Sequence, residues 1–261
     1  MKKFKRIVLS ILFIIFFCCM IFSLIKIISW VIDNINTNNE IRNVQDQVVQ
    51  SETSDDQAVE VYGDSKYNKE KFLNVSFSNL KNINNEVSGW VKVLGTNIDY
   101  PFVRHNNNSY YLNHSFNKSY NEAGWVFLDY RCDVKLEDQN TILYAHGRVD
   151  GTMFGSLKDT LSKKWLNDDS NFLVKVSTPY SNNIYEVFSI YHIETTDDYI
   201  DINYKTDTNF LNFIKLIKNR SVYDFSVNVS SSDKIITLST CYSNSEKMVL
   251  HAKLIKRQIR K

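Results

Sequence analysis

Nineteen consecutive residues near the N-terminus, IVLSILFIIFFCCMIFSLI at positions 7–25, carry no charge, and IISWVI follows after Lys26. A helix of about 20 apolar residues crosses the roughly 30 Å hydrocarbon core of a bilayer, and nothing else in the chain restricts its fold so strongly. The run is longer than the apolar part of a secretory leader and no small-residue cleavage site follows it, so it is expected to stay attached as an anchor rather than to pack as a core helix. Lys2, Lys3, Lys5 and Arg6 precede the run, whereas residues 33–64 carry eight acids and one base, Arg42. The excess of basic residues on one side predicts a cytoplasmic N-terminus, a single pass, and everything after Trp30 outside the cell membrane.

Three segments follow from this reading. Residues 1–30 are the basic tip and anchor. Residues 31–65, polar and acidic, are a stalk, helical in part, that holds the rest off the membrane. Residues 66–261 form a folded domain. Its many aromatic residues, 15 Tyr and 16 Phe in the chain against 2 Pro, suit a β-rich core, and a net charge of +2 gives no reason to expect nucleic acid as a partner.

Within the domain, Phe72, Val75, Leu80 and Ile83 recur at helical spacing. Short β-rich runs then follow: WVKVL, NIDYPFV, GWVFLDY, NTILYAH, NFLVKV, IYEVFSIYHI, KIITLST and MVLHAKL. Turn-forming clusters such as RHNNNS and PYSNN separate them, and MFGSLKDTLSKKWL and TNFLNFIKLIKNR interrupt them with helical patterns. About eight strands with two inserted helices predict a mainly β fold, a closed or nearly closed barrel.

Two cysteines, Cys132 and Cys241, lie outside the anchor, where a disulfide between them is one possibility. Their spacing to other Cys and His residues offers no structural zinc site. The other possibility is a reactive thiol, which needs a base or a cation beside it. If residues 242–246 form a hairpin loop, Cys241 faces Lys247, and His251 lies about 13 Å further along the partner strand, too far for a hydrogen bond. His251 is therefore expected at the barrel surface as an ordinary strand residue. His105 and His114 flank an Asn-rich turn and are expected to be solvated, and His192 ends an apolar strand. His146 differs, standing at the tip of the apolar strand TILYA before the polar turn GRVDG. Side chains that do chemistry are often displayed at such strand ends.

TLSTC at a strand end, with YAHGRVDGTMFGSL about a hundred residues upstream, resembles the sortases, the cysteine transpeptidases of bacterial cell surfaces. GWVKVLGTNIDYPFV, NSYYLNHSF, AGWVFLDYR and the helix-bearing insert before the last strands are similar to class B of that family, over roughly residues 68–256. The resemblance implies an eight-stranded sortase barrel and a reaction without metal or organic cofactor. It assigns Cys241 as nucleophile, His146 as acid and base, and Thr240 as a substrate contact. Where the family carries an arginine, this chain has Lys247, with Arg148 as a conceivable substitute. The implied partners are surface proteins bearing a C-terminal sorting motif, cleaved after Thr, and an amine acceptor from a peptidoglycan cross-bridge or a pilin. Two other readings stay open: an impaired sortase fold that binds sorting peptides or cell-wall material without turnover, and a structural surface domain with Cys132 bridged to Cys241.

Overall fold

The computed structural model describes residues 2–48, 50–53, 58–241 and 246–260, and for residues 2, 50, 52, 53 and 241 the backbone alone. A single helix, α1, runs from Lys2 to Asp46. The domain follows as β1 (Gln50–Thr53), β2 (Val59–Val61), β3 (Phe72–Val75), α2 (Ser78–Ile83), β4 (Val87–Val93), β5 (Asp99–Val103), β6 (Phe127–Leu128), β7 (Asn140–His146), α3 (Lys163–Leu166), β8 (Leu173–Ser177), β9 (Ser181–Glu194), α4 (Asp207–Arg220), β10 (Ile235–Cys241) and β11 (Glu246–Ile259). Eight of these strands close into a barrel in the order β10-β7-β6-β5-β4-β8-β9-β11, and β11 pairs back with β10. Closure removes the free sheet edges that would otherwise invite pairing with other chains. β2 adds to the far half of β11, and β1 pairs with β3.

The alternation of β10 and β11 sorts their side chains onto two faces. Ile236, Leu238, Met248, Leu250, Ala252 and Leu254 belong to the main core, whereas Ile235 and Val249 belong to a second cluster. That second cluster is roofed by α4, whose Phe210, Phe213, Ile214 and Ile217 recur at i, i+3, i+4 and i+7 and are all buried. Thr206 caps this helix, its side chain accepting from the Asn209 N–H.

Two expectations change. Phe72 and Val75 lie on a strand, not a helix: pairing with β1 satisfies their backbone, both side chains are buried, and the helical pattern is used only from Ser78 onward. The segment expected as a stalk is also more than a spacer. α1 continues unbroken to Asp46, and Thr37, Ile41 and Val44, spaced to share one helix face, are buried against the domain. From Ile7 to Ile32, by contrast, its large apolar side chains are exposed, and this is the part long and apolar enough to cross a membrane.

Candidate active site

β10 is inserted between β7, which runs parallel to it, and β11, which runs antiparallel. The register pairs Cys241 with His146 on one side and with Lys247 on the other. Three residues from distant parts of the sequence therefore form one row across three strand ends, with neighbouring strands about 4.8 Å apart. Thr240 occupies the next row, between Ala145 and Met248, and Ser239 the one after, between Tyr144 and Val249. The pairing of Cys241 with Lys247 matches the register expected from sequence; residues 242–245 of the expected hairpin loop lie outside the described residues.

Thr240, His146 and Lys247 border a cleft of about 290 Å³, which Asn108, Tyr144, Tyr199 and Ser239 also line. Two of these, Asn108 and Tyr144, meet the fully buried Asp129 behind it. That carboxylate takes a two-point grip from Arg131, at 3.0 and 2.8 Å, and also accepts from Asn108 at 3.0 Å and from the Tyr144 hydroxyl at 3.1 Å. Burial opposes its ionisation, but the Arg131 guanidinium and backbone N–H outweigh that and hold the carboxyl below its usual range. Burial and the same carboxylate push the Tyr144 phenol upward, so it stays a hydrogen-bond donor. Arg131 reaches on to the carbonyl of Ile200, and the Tyr199 hydroxyl meets Ser239 at 2.9 Å, so these parts of the lining are braced by hydrogen bonds. These lining residues escaped the sequence reading. The alternation in TILYAH and TLSTC was the signal, since it sets Tyr144 with His146 and Ser239 with Cys241 on shared faces.

His146 Nε2 lies 2.6 Å from the carbonyl oxygen of Leu112. A carbonyl only accepts, so Nε2 carries a proton and donates it to Leu112. Leu112 ends a short helical turn, Tyr110–Leu112, that the neighbouring histidines build. His105 and His114 stack on the Tyr110 ring, with centroids 4.4 and 4.0 Å away. His105 meets Glu86 at 3.1 Å, and His114 Nδ1 donates to the Tyr110 carbonyl at 2.8 Å. Neither is the solvated loop residue expected: stacking draws both rings onto Tyr110, and the turn they brace carries the carbonyl that orients His146. The turn after His146 folds back tightly, for a Cβ added at Gly155 would come 2.1 Å from the Arg148 carbonyl oxygen.

His251 departs furthest from expectation. It is fully buried on the α4 side of the barrel, with Nδ1 2.8 Å from the Thr237 hydroxyl and Nε2 2.9 Å from the Tyr191 hydroxyl. Burial, with a smaller contribution from the Arg220 charge, lowers its pKa to about 3. The strand pattern alone could not show that an inserted helix covers this face. Cys132 is a buried free thiol whose sulfur accepts from the Ile142 N–H at 3.5 Å. Ile142 lies four residues down β7 from His146, roughly 13 Å away, beyond disulfide reach of the Cys241 row. Burial raises the Cys132 thiol to about 12, so it remains protonated. Arg148 is committed to Asp150 at 3.0 Å, to Thr152 at 2.9 Å and to Asn34 of α1, which leaves Lys247 as the cation bordering the cleft. His192 is half-exposed, 3.7 Å from Glu246.

Comparison with known proteins agrees with this architecture. The Sortase domain family matches residues 91–255. Sortase B of Listeria monocytogenes is 35% identical over 180 residues, 67% of this chain and 72% of its own length. Sortase B of Staphylococcus aureus is 36% identical over 184 residues, covering 69% and 75% respectively. Among solved structures, a sortase B from B. anthracis superposes with a TM-score of 0.70 at 33% identity, covering 87% of this chain and 99% of that one. A Staphylococcus aureus sortase B–substrate complex gives 0.64 at 35%, covering 69% and 84%.

Proposed function

The chain belongs to the sortase family, in its class B branch, and from that premise we propose that it is a membrane-anchored cysteine transpeptidase acting on the C-terminal sorting motif of surface proteins. The observation that supports this reading is the row Cys241–His146–Lys247, a thiol position between a histidine and a cation at the mouth of a braced cleft.

In the proposed reaction the Cys241 thiol gives its proton to His146 Nδ1, the thiolate attacks the carbonyl carbon of the motif threonine, and the carbonyl π pair moves to oxygen. Lys247 stabilises that oxyanion as a point charge, without the planar fork of an arginine. Collapse of the adduct breaks the C–N bond, and His146, protonated at Nδ1, delivers its proton to the departing amine. A thioester remains on Cys241. An amine from a peptidoglycan cross-bridge or a pilin lysine then attacks it, His146 takes the amine's proton, and the thiolate is released as the new amide forms. Thr240, bordering the cleft one row in, contacts the substrate. The span within α1 anchors the protein with its N-terminus in the cytoplasm and the barrel outside.

Intact-mass measurement tests this on a form beginning at Asp33, which keeps the docked end of α1 as well as β1 and β2. Peptides containing Thr–Gly or Thr–Asn are expected to leave an acyl adduct on Cys241 that hydroxylamine removes, and an added amine should turn it over. Cys241→Ala should lose both adduct and cleavage. Cleavage by that variant would remove the proposed nucleophile. An adduct that no amine resolves would favour the second reading, a binding protein impaired by lysine at the family's arginine position.

A further inference from the structure

The polar contacts between α1 and the barrel fall in a fixed order along the helix. Asn34 accepts from Arg148, Thr37 from Asn121 at 3.0 Å and Glu40 from the Asn117 backbone at 2.8 Å, while Gln45 donates to the Asp99 carbonyl at 2.9 Å. Thr37, Ile41 and Val44 are buried along the same stretch. Because each residue advances the helix about 1.5 Å, the order of contacts is also an order of heights above the apolar segment. Arg148 is the lowest barrel residue among these contacts, and it stands two residues beyond His146.

The height can be bounded. A hydrocarbon core of about 30 Å takes about 20 residues. Counted from Ile7, the boundary falls no earlier than Lys26, and the apolar run ends at Ile32. Asn34 therefore lies about 3–12 Å past the boundary, within or at the edge of the headgroup layer. The turn at this level is suited to that layer. Val149 is 90% exposed, the highest value among the exposed large hydrophobic residues, and Lys158 borders the same small cleft as Val149 and Arg148. One helical turn higher, Tyr120 is 67% exposed beside Asn121. A single exposed valine is ordinary. One held at headgroup height beside a lysine, with an exposed tyrosine a helical turn above, has the make-up of an interfacial anchor.

We propose that the turn from Gly147 to Thr152, with Val149 at its tip and Lys158 beside it, is a lipid-contacting surface. The docked end of α1 acts as a strut that holds this turn, and with it the His146 end of β7, in the outer headgroup layer. Val149 enters the interface and Lys158 meets anionic lipid phosphates. This rests on the anchor reading of α1.

The test uses the full chain in vesicles of phosphatidylcholine and phosphatidylglycerol, with a headgroup-level spin-label quencher in both leaflets. An environment-sensitive fluorescent amino acid is placed at position 149 or, for comparison, at position 215 on the exposed side of α4. Quenching at 149 is expected to exceed that at 215 by about threefold, with a blue-shifted emission, as for a side chain in the interface. Inserting a flexible Gly/Ser segment between Ile32 and Asp33 should bring 149 down to the level of 215. The proposal falls if the chain floats with the vesicles and 149 is quenched no more than 215, or if the insertion leaves the difference intact. A chain that does not float removes the anchor reading, and the proposal with it.

Discussion

The strand pair β10–β11 carries two polar rows on the same face, four residues apart, and their fates are opposite. Cys241 and Lys247 close the pair at its open end, beside His146. Thr237 and His251 sit deeper, beneath α4, among Phe188, Tyr191 and Phe213. The deep histidine is fully hydrogen-bonded and, with its pKa near 3, is neutral at physiological pH, so it cannot shuttle protons there. The rim histidine has Nε2 held by the Leu112 carbonyl and borders the cleft at the barrel's end. What separates the buried structural histidine from the one proposed to act is therefore the roof above it, not the strand that presents it.

Exchanging the two histidines' fates by mutation would break this comparison most directly. His146→Ala should lower kcat/KM for peptide cleavage by about 10²–10⁴, the usual worth of a positioned acid–base group. His251→Ala should leave kcat/KM within a few-fold at 20 °C while lowering the melting temperature, because it removes a buried ring that is hydrogen-bonded to the Tyr191 and Thr237 hydroxyls. If the second variant were folded yet inactive, the buried row would have a part in the chemistry.

Lys247 sharpens the rim half of the comparison. Lys247→Ala should cost about 10²–10³ in rate, as for the loss of one oxyanion partner, and Lys247→Arg should hold or raise activity by restoring the planar fork. Steady-state kinetics on both variants decide the matter. An alanine variant as active as the parent would reduce Lys247 to a bystander.

The smallest effect is a pH-dependent loss of stability from the deep row. The folded pKa of His251, about 3, lies below its ordinary value of 6.5, so the unfolded chain binds the proton more readily. Stability is present above pH 6.5 and is lost as pH falls below it, by about 2 kcal/mol on reaching pH 5. Denaturant titrations at pH 7.5 and 5 should show this loss in the parent and a flatter response in His251→Asn. Equal slopes would mean that other groups set the acid sensitivity.

Much of this was legible in the residues themselves. The period-two runs located the barrel strands, NTILYAH and KIITLST within a residue of β7 and β10, because alternation is a local property. The facing of Cys241 and Lys247 followed from hairpin spacing. The roof over His251 was not legible, since α4 is remote in sequence from β11 and its apolar stripe names no partner. Asp129 was equally silent: a lone acid in FLDYR becomes a hub only when β6 brings it to Arg131, Asn108 and Tyr144. The docked end of α1 was hidden by composition, because a polar, acidic segment still held Thr37, Ile41 and Val44 on one face.

The parallel pairing of β7 with β10 bears on when the proposed site is first assembled. His146 and Cys241 are about 95 residues apart in sequence, and contacts of such long separation form late because loop closure must precede them. Positions 146 and 241 thus stay apart until the barrel closes. The Cys241–His146–Lys247 row comes into being with the finished fold, so under the proposed mechanism a partly folded molecule has no means of acylating itself or its neighbours.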